Sequence, residues 1–411
     1  MEPVSRRSVL AAAAAGTVAT AAVAQTFGNP DQPPQGAINT TGNPSSFTDP
    51  GPQNPAIASQ FPDAFSPPAT NVGDMPMFWA SFNNAPRRIQ NGGWARQVTQ
   101  ADFAISEEIA GVNMRLTRGG VRELHWHQAA ETMSAKAPSV SPPSTPRAAP
   151  MSRTWSKAGC GISPQACRIR CRVSARTAAS SFSASTTARR GNTTRSRWFA
   201  HTPPDILALN FGLPAETFAK IPLHDLYIFQ GQMPGPLAQD QAQAAGTVGR
   251  MPNSSTFQLA GMAPTRRTAG GEARVADSRN FKASQTIAAA LVTVHPGGLR
   301  EMHWHPNADE WQYYITGQGA MTVFNTGPKV VTQNFKPGDI GYVKRNLGHF
   351  VQNTGDTDLV FLEVFRSNRF EDVSLSDWLA HTPYALVAQH LIVDPAVVAR
   401  FPANKPEIMP E

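Results

Sequence analysis

In a β-strand, side chains two residues apart project from the same face. His303 and His305, separated by Trp304, can therefore present two imidazoles together, which is half of a metal site. Glu310 follows a Pro306-Asn307 turn, and His349 lies downstream of a Gly338-Asp339 turn. The four residues would offer three neutral nitrogens and one carboxylate, leaving open positions on an octahedral ion. Mn, Fe, Ni, Cu and Zn are all compatible with that donor set, and geometry must decide among them.

The elements that must position these groups occur twice. Arg122-Glu123-Leu124-His125-Trp126-His127 recurs as Arg300-Glu301-Met302-His303-Trp304-His305, 178 residues later. Trp198-Phe199-Ala200-His201-Thr202-Pro203 recurs as Trp378-Leu379-Ala380-His381-Thr382-Pro383, 180 residues later. Two landmarks in the same order at nearly the same offset indicate an internal duplication. The 411 residues also exceed what one ordinary core needs. Short alternating runs such as 288–294, 311–315, 321–324, 340–343 and 360–365, separated by Gly, Pro and Asn turns, predict a small antiparallel barrel or sandwich in each copy. The predicted divisions are 75–235 for the first copy and 236–411 for the second. In the first, His125, His127 and Glu131 fit the same metal pattern after Gly119, with three residues between His127 and Glu131.

Gly297, His303-x-His305, Glu310 and Gly317 resemble the first cupin motif, and Gly338 through His349 to Asn353 resembles the second. Lys344 and Asn346 depart from it, standing where the generic motif has Pro and Gly. The duplicated His-Trp-His with its preceding Arg-Glu, and the Ser376-Asp377-Trp378-Leu379 run, look like the bicupin oxalate decarboxylases. The resemblance extends from about Met75 to about His390, one aberrant stretch apart. It implies an all-β bicupin of two antiparallel β-barrel, jelly-roll domains with short helices. It further implies a manganese ion in each barrel and cleavage of oxalate to formate and carbon dioxide, with dioxygen needed but not consumed overall. Arg300 lies on the opposite strand parity from His303, yet the resemblance places its guanidinium, and that of Arg122 in the first copy, at the substrate. There a bidentate charge-assisted contact would suit a dicarboxylate. Glu363 matches the family's proton donor. In the apolar run Val360-Phe361-Leu362-Glu363-Val364-Phe365 its carboxyl should have a raised pKa and could protonate the carbon left by departing carbon dioxide. Cupins also commonly form homo-oligomers. Two other readings are oxalate oxidase, which the first barrel's lid would distinguish, and a non-catalytic metal-binding bicupin, against which Arg300 and Glu363 argue.

The first copy departs from this pattern between Thr132 and Arg197. These residues contain 12 Lys/Arg and no Asp, Glu, His, Leu or Tyr, while Ser, Thr, Ala and Arg dominate. Such a composition cannot supply a barrel core or a fourth metal ligand, so the first barrel is expected to be incomplete. The length, however, is close to normal: His127 to His201 spans 74 positions and His305 to His381 spans 76. A shifted reading frame accounts for both properties. With suitable codons and one base stepped back, Ala166-Cys167-Arg168-Ile169-Arg170 can spell Gly-Met-Pro-His-Ser, and Asn192-Thr193-Thr194-Arg195 can spell Glu-Tyr-Asn-Thr, resembling the family's active-site lid. The hidden histidine falls at the codon of Ile169, 180 positions before His349.

The same stretch explains the chain's charge. The total of 36 Lys/Arg against 29 Asp/Glu would suggest a nucleic-acid or anionic-membrane partner. Outside 132–197 the balance is 24 basic against 29 acidic residues. No aromatic residues alternate with the arginines as a stacking platform requires, so no nucleic-acid partner is expected. All three cysteines, Cys160, Cys167 and Cys171, lie in this stretch, which excludes a disulfide framework or a four-Cys zinc site. Met1 to Ala24, with Arg6-Arg7, an Ala-rich apolar run and an Ala22-Val23-Ala24 ending, reads as a twin-arginine-like export signal. Its apolar run is too short and Ala-rich for a stable membrane span, and the expected location is periplasmic or secreted. Residues 25–74 read as a Pro/Gly-rich arm.

Overall fold

The computed structural model describes residues 75–127, 132–136, 160–163, 169–172, 179–185 and 192–411, apart from 223, 234, 249–252, 255, 327–328 and 405–406. The 1–24 signal, the 25–74 arm and Glu131 lie outside the described residues. So does most of 132–197.

The C-terminal half is built from two antiparallel sheets. One has seven strands in the order Trp79–Ser81, Asp339–Val343, Glu310–Thr316, Leu359–Phe365, Ala288–Val294, Gly271–Ala276 and Arg266–Thr268. The other runs Lys329–Phe335, Gly319–Asn325, His349–Asn353, Leu299–Trp304 and Val373–Ser374, with Ile408–Met409 also paired to Leu299–Trp304. Strands such as Ala288–Val294 and Leu359–Phe365 are rich in Val, Leu and Phe, residues that fit a pleated and covered surface. Leu359–Phe365 is buried at every position. Between the sheets lies a continuous apolar core that includes Val292, Tyr314, Met321, Phe335, Ile340, Val351 and Phe361. This is the expected all-β jelly roll, formed by two facing sheets.

The N-terminal half repeats the plan. Its larger sheet runs Thr256–Phe257, Cys160–Ser163, Thr132–Lys136, Ala179–Ser185, Ala110–Leu116, Gly93–Val98 and Arg88–Gln90. Its smaller one joins Asn192–Thr194, Gly120–His127 and Ile228–Gln230, with Ile169–Arg172 also on Gly120–His127. The sequence predicts that 132–197 cannot build the rest of this barrel, yet parts of it form strands. They keep the register of the other half: Ala110 faces Ser185 as Ala288 faces Phe365. Intact neighbours on both sides supply partners for the backbone, and a ladder hydrogen bond does not depend on side-chain identity. Ala95, Met114, Leu116, Tyr227 and Ile228 make a small separate core cluster in this half.

The two halves exchange strands. Trp79–Ser81 opens the 75–235 copy but pairs with Asp339–Val343 of the second, while Thr256–Phe257 of the second pairs with Cys160–Ser163 of the first. Phe78 and Phe82 consequently enter the core of the C-terminal half, where Phe78 lies 6.5 Å from Phe335 and Phe82 lies 5.8 Å from Tyr313, centroid to centroid. Burying each ring contributes roughly 2–3 kcal/mol. The Ser376-Asp377-Trp378-Leu379 run lies in the helix Leu375–Ala380, capped by Ser374 accepting from the Asp377 amide. Helix Tyr384–Leu391 follows, and Pro204–Phe211 is its first-half counterpart. Among the described residues no helix is long and apolar enough to cross a membrane.

Candidate metal centre

The strand Leu299–Trp304 brings His303 into the C-terminal core, and His305 continues it. Glu310 begins the strand Glu310–Thr316 on the facing sheet, and His349 begins His349–Asn353, directly opposite His303. All four side chains are buried, and their candidate ligand atoms lie within 4.8 Å of one another. Glu310 Oε2 is 2.8 Å from His349 Nε2 and 3.3 Å from His305 Nε2.

Each imidazole is oriented by its other nitrogen. Nδ1 of His303 lies 2.6 Å from the Glu301 carbonyl, Nδ1 of His305 lies 2.8 Å from that of Glu371, and Nδ1 of His349 lies 3.0 Å from that of Leu347. A carbonyl accepts only, so each Nδ1 carries a proton and each Nε2 is turned toward the cluster. Burial, then the nearby Arg300 charge and the other two imidazoles, push the His303 pKa well down, so the ring stays neutral. For Glu310, burial alone would favour the acid, but His349 and His305 outweigh it and hold the carboxyl well below its ordinary range. Three Nε2 atoms and Glu310 Oε2 are thus buried with no hydrogen-bond partner. Leaving four polar atoms uncompensated would be costly. Their chemistry and convergence fit a divalent ion.

Beside the cluster, Arg300 is fully buried. Its Nη2 donates to Asp372 Oδ2 at 2.8 Å and its Nη1 donates to the Glu407 carbonyl at 3.2 Å. Its Nε has no hydrogen-bond partner and lies 3.6 Å from Glu363 Oε1. Both oxygens of Glu363 are likewise buried without a hydrogen-bond partner. Burial, reinforced by the Glu310 charge and opposed by Arg300, raises the Glu363 pKa well above the ordinary carboxylate value. Simple alternation places Arg300 on the wrong face, and the structure corrects this with a β-bulge. Arg300 pairs with Val351 and His303 with His349, so three steps along one strand match two on its neighbour. One extra residue reverses the parity, and Arg300, His303 and His305 are all buried.

The motif departures also have structural reasons. Asn346 adopts φ 65°, a left-handed conformation that the motif's Gly tolerates and Asn accepts better than most residues. Lys344 places Nζ 2.5 Å from Glu107 Oε2 and 3.4 Å from Asp309 Oδ2, joining the second motif to a loop of the other half. Sequence reasoning missed Asp372, Gln312 and Tyr314. Gln312 and Tyr314 carried a signal, since polar residues two and four positions after Glu310 share its face.

In the N-terminal half the bulge recurs between Arg122 and His125. Arg122 is buried, donates from Nη1 to the Tyr227 carbonyl at 2.9 Å, and lies 3.8 Å from the Tyr227 ring centroid. Tyr227 and Glu407, the residues whose carbonyls receive the two arginines, both have positive φ, 43° and 58°. The backbone brings Ile169 opposite His125, as it brings His349 opposite His303. Thr132 faces Ser185 as Glu310 faces Phe365.

Comparison with known proteins agrees with this geometry. The cupin family profile matches residues 257–399. The oxalate decarboxylase OxdC of Bacillus subtilis is 40% identical over 348 residues, 83% of this chain and 88% of that protein. An oxalate decarboxylase of Arthroderma benhamiae is 33% identical, covering 97% of this chain and 98% of its own length. A structure of the B. subtilis enzyme at pH 4.6 superposes with a TM-score of 0.76 at 34% identity, covering 90% of this chain and 97% of that one. Another structure of that enzyme, from a study of its Mn(II) centres, gives the same TM-score and identity over 88% of this chain and 96% of that one.

Proposed function

This chain belongs to the oxalate decarboxylase family of cupins, and from that membership we propose that it converts oxalate to formate and carbon dioxide at a manganese centre held by His303, His305, Glu310 and His349. The observation that carries the proposal is the convergence of three partnerless imidazole nitrogens and one carboxylate oxygen beside the buried Arg300–Glu363 pair. Bound there, manganese would supply positive charge for the oxalate oxygens and, with dioxygen, reversible one-electron chemistry that weakens the carbon–carbon bond.

The chain's own residues divide the remaining work. Arg300 is fixed at Nη1 and Nη2 and has Nε free to donate to a carboxylate oxygen. A rigid guanidinium in a dry site orients a planar dicarboxylate at little entropic cost. Glu363 holds a proton, because burial and the Glu310 charge disfavour its anion. When the carbon–carbon bond breaks, its electron pair stays with one carbon while the other leaves as carbon dioxide. The Glu363 carboxyl gives its proton to that carbon, completing formate, and takes another from solvent. Oxalate dianion plus one proton becomes formate plus carbon dioxide.

The proposal extends to the rest of the chain. Ile169 stands opposite His125 where His349 stands opposite His303, so we read Arg122, His125, His127 and Glu131 as remnants of a second centre that lacks its fourth ligand. The 132–197 stretch is the product of a shifted frame, which impairs this polypeptide relative to its in-frame counterpart. Met1 to Ala24 directs export of a chain already folded and loaded. The test is to incubate the manganese-loaded full chain with carbon-13 oxalate under air and follow the products by NMR. Formate and carbon dioxide in equal amounts are expected. Hydrogen peroxide with carbon dioxide and no formate would instead assign an oxidase, and metal binding without turnover would leave a binding protein.

A further inference from the structure

Residues 277–287 of the second copy repeat 99–109 of the first at an offset of 178, with Asp277, Arg279 and Asn280 standing where Thr99, Ala101 and Asp102 stand. The turn itself is built alike in both. Phe281 N donates to the Asp277 carbonyl and Phe103 N to that of Thr99, each at 2.8 Å, and the Ser284 and Ser106 hydroxyls donate to the carbonyls of Ile287 and Ile109. Asn280 Oδ1 accepts from the Asp277 amide at 3.0 Å, just as Asp102 Oδ2 accepts from the Thr99 amide at 3.0 Å. The first copy thus closes this turn with neither an acidic residue at its head nor a basic one two positions on, so the Asp277–Arg279 pair is surplus to it.

The pair reaches a neighbouring segment instead. Buried Asp277 accepts from Arg279 Nε through both carboxylate oxygens, at 3.0 and 2.9 Å, and its Oδ2 also accepts from the Phe370 amide at 3.2 Å. Arg279 Nη2 donates to the Phe370 carbonyl at 3.2 Å, so one ion pair holds both polar groups of the Phe370 backbone. Ser278 N donates to the Asn368 carbonyl at 3.0 Å, and Asn307 Nδ2 donates to Ser367 Oγ and the Arg369 carbonyl, each at 3.1 Å. Residues 366–372 belong to no strand or helix. Arg366, Asn368, Arg369 and Glu371 are exposed, whereas Phe370 is buried with its ring centroid 5.7 Å from that of His305. The same segment supplies the Glu371 carbonyl to His305 Nδ1 and the Asp372 carboxylate to Arg300.

We propose that Asp277 and Arg279 are positioning residues that latch the segment 367–372 over the buried cluster, and that lifting of this segment sets the rate at which a divalent ion enters or leaves. The inference rests on the reading of the cluster as a divalent-metal centre. His303, Glu310 and His349 sit on strands whose ladders would have to break for an ion to pass between them. The 367–372 segment is held mainly by the side chains of Asp277, Arg279 and Asn307. Local opening takes the least stable part of a structure, one with exposed backbone bonds and little regular pairing. Opening speeds entry and exit alike and leaves their ratio, the affinity, as it was. A latch is thereby distinguished from a support of His305, whose loss would weaken affinity.

The experiment uses the full chain in three forms: wild type, Arg279→Ala, and Asp277→Thr combined with Arg279→Ala, which installs the residues that close the same turn in the first copy. Amide hydrogen exchange over 366–372 is read on the metal-free protein by mass spectrometry. Manganese affinity, loading rate and release rate to excess chelator are followed by electron paramagnetic resonance of the free ion. The double variant should exchange 366–372, load manganese and release it about tenfold faster, the size of a lost hydrogen bond to a charged group, with affinity within about threefold of wild type. Arg279→Ala leaves Asp277 on the Phe370 amide and should shift the same rates by about threefold; it carries the test alone if the double variant does not fold. Weaker manganese affinity with unchanged loading and unchanged exchange would overturn the inference, making the pair a support for His305. Faster exchange spread over the whole C-terminal half would overturn it too, since the pair would then stabilise the fold and not one segment. So would unchanged rates in both variants. A wild type that takes up no manganese defeats the metal-centre reading and the latch with it, and is told apart because it shows in the first titration, before any variant is compared.

Discussion

Glu363 and Arg300 are both fully buried and 3.6 Å apart, and the proposed reaction gives them different work. Glu363→Gln keeps the shape of the side chain and removes its transferable proton. Formate production should fall by about 10²–10⁴-fold while manganese content, read by elemental analysis, stays at the wild-type value. Folding raises the pKa of Glu363, so its proton is present below that value and is lost as pH rises through it. Turnover at saturating oxalate should accordingly decline on the alkaline side, and a pH–rate profile checks this. The linked stability has the same sign: fully present below the unfolded pKa, about 4.3 for Glu, and lost as pH climbs through the folded one. Arg300→Lys preserves charge but loses the fork that spans Asp372 and the Glu407 carbonyl. Steady-state kinetics should show KM for oxalate raised about tenfold with metal retained. The candidate ligands His303, His305, Glu310 and His349 were legible in residue type and spacing, whereas Arg300 and Glu363 were singled out by the family resemblance. Asp372 was not, because its pairing with Arg300 joins segments 72 residues apart and depends on side-chain direction.

At the scale of elements, the bulge between Arg300 and His303 brings the buried Arg300 beside the histidine cluster. Alternation was read correctly for His303 and His305 but misplaced Arg300, since a one-residue irregularity leaves no mark in a polar/apolar pattern. Deleting Met302, which is 40% exposed, would regularise the strand and turn Arg300 away from the core. Manganese should still bind to that variant while oxalate binding, measured calorimetrically, disappears. A second element carries avoidable strain. Helix Tyr384–Leu391 ends on Ile392, with φ 56° and 92% exposure, whereas its first-half counterpart ends on Gly212 at φ 64°. A β-branched residue in the left-handed region costs about 1–2 kcal/mol. Ile392→Gly, after the entropic cost of glycine, should therefore stabilise the protein by about 0.5–1 kcal/mol in a denaturant titration. Strand positions in the second copy were legible from alternation. Strands within 132–197 were not, because there the pairing comes from neighbours and the side chains carry no pattern.

For the molecule as a whole, duplication was the clearest message of the sequence, and the exchange of strands between its two copies was the most hidden. Nothing in Trp79-Ala80-Ser81 says that its partner is Gly341-Ile340-Asp339. The exchange predicts that Phe82→Ala, a change in the first copy, lowers the stability of the C-terminal jelly roll by about 3–5 kcal/mol, observable as earlier loss of its buried-tryptophan signal during unfolding. It also has a consequence in time. A ribosome adds roughly 5–20 residues per second, and Trp79 and Gly341 are 262 positions apart. The strand that completes the C-terminal sheet therefore leaves the ribosome on the order of 10–50 s before its partner exists. Throughout that interval Phe78 and Phe82 have no core to enter, so the nascent chain must be shielded from its neighbours until nearly all of it has been made.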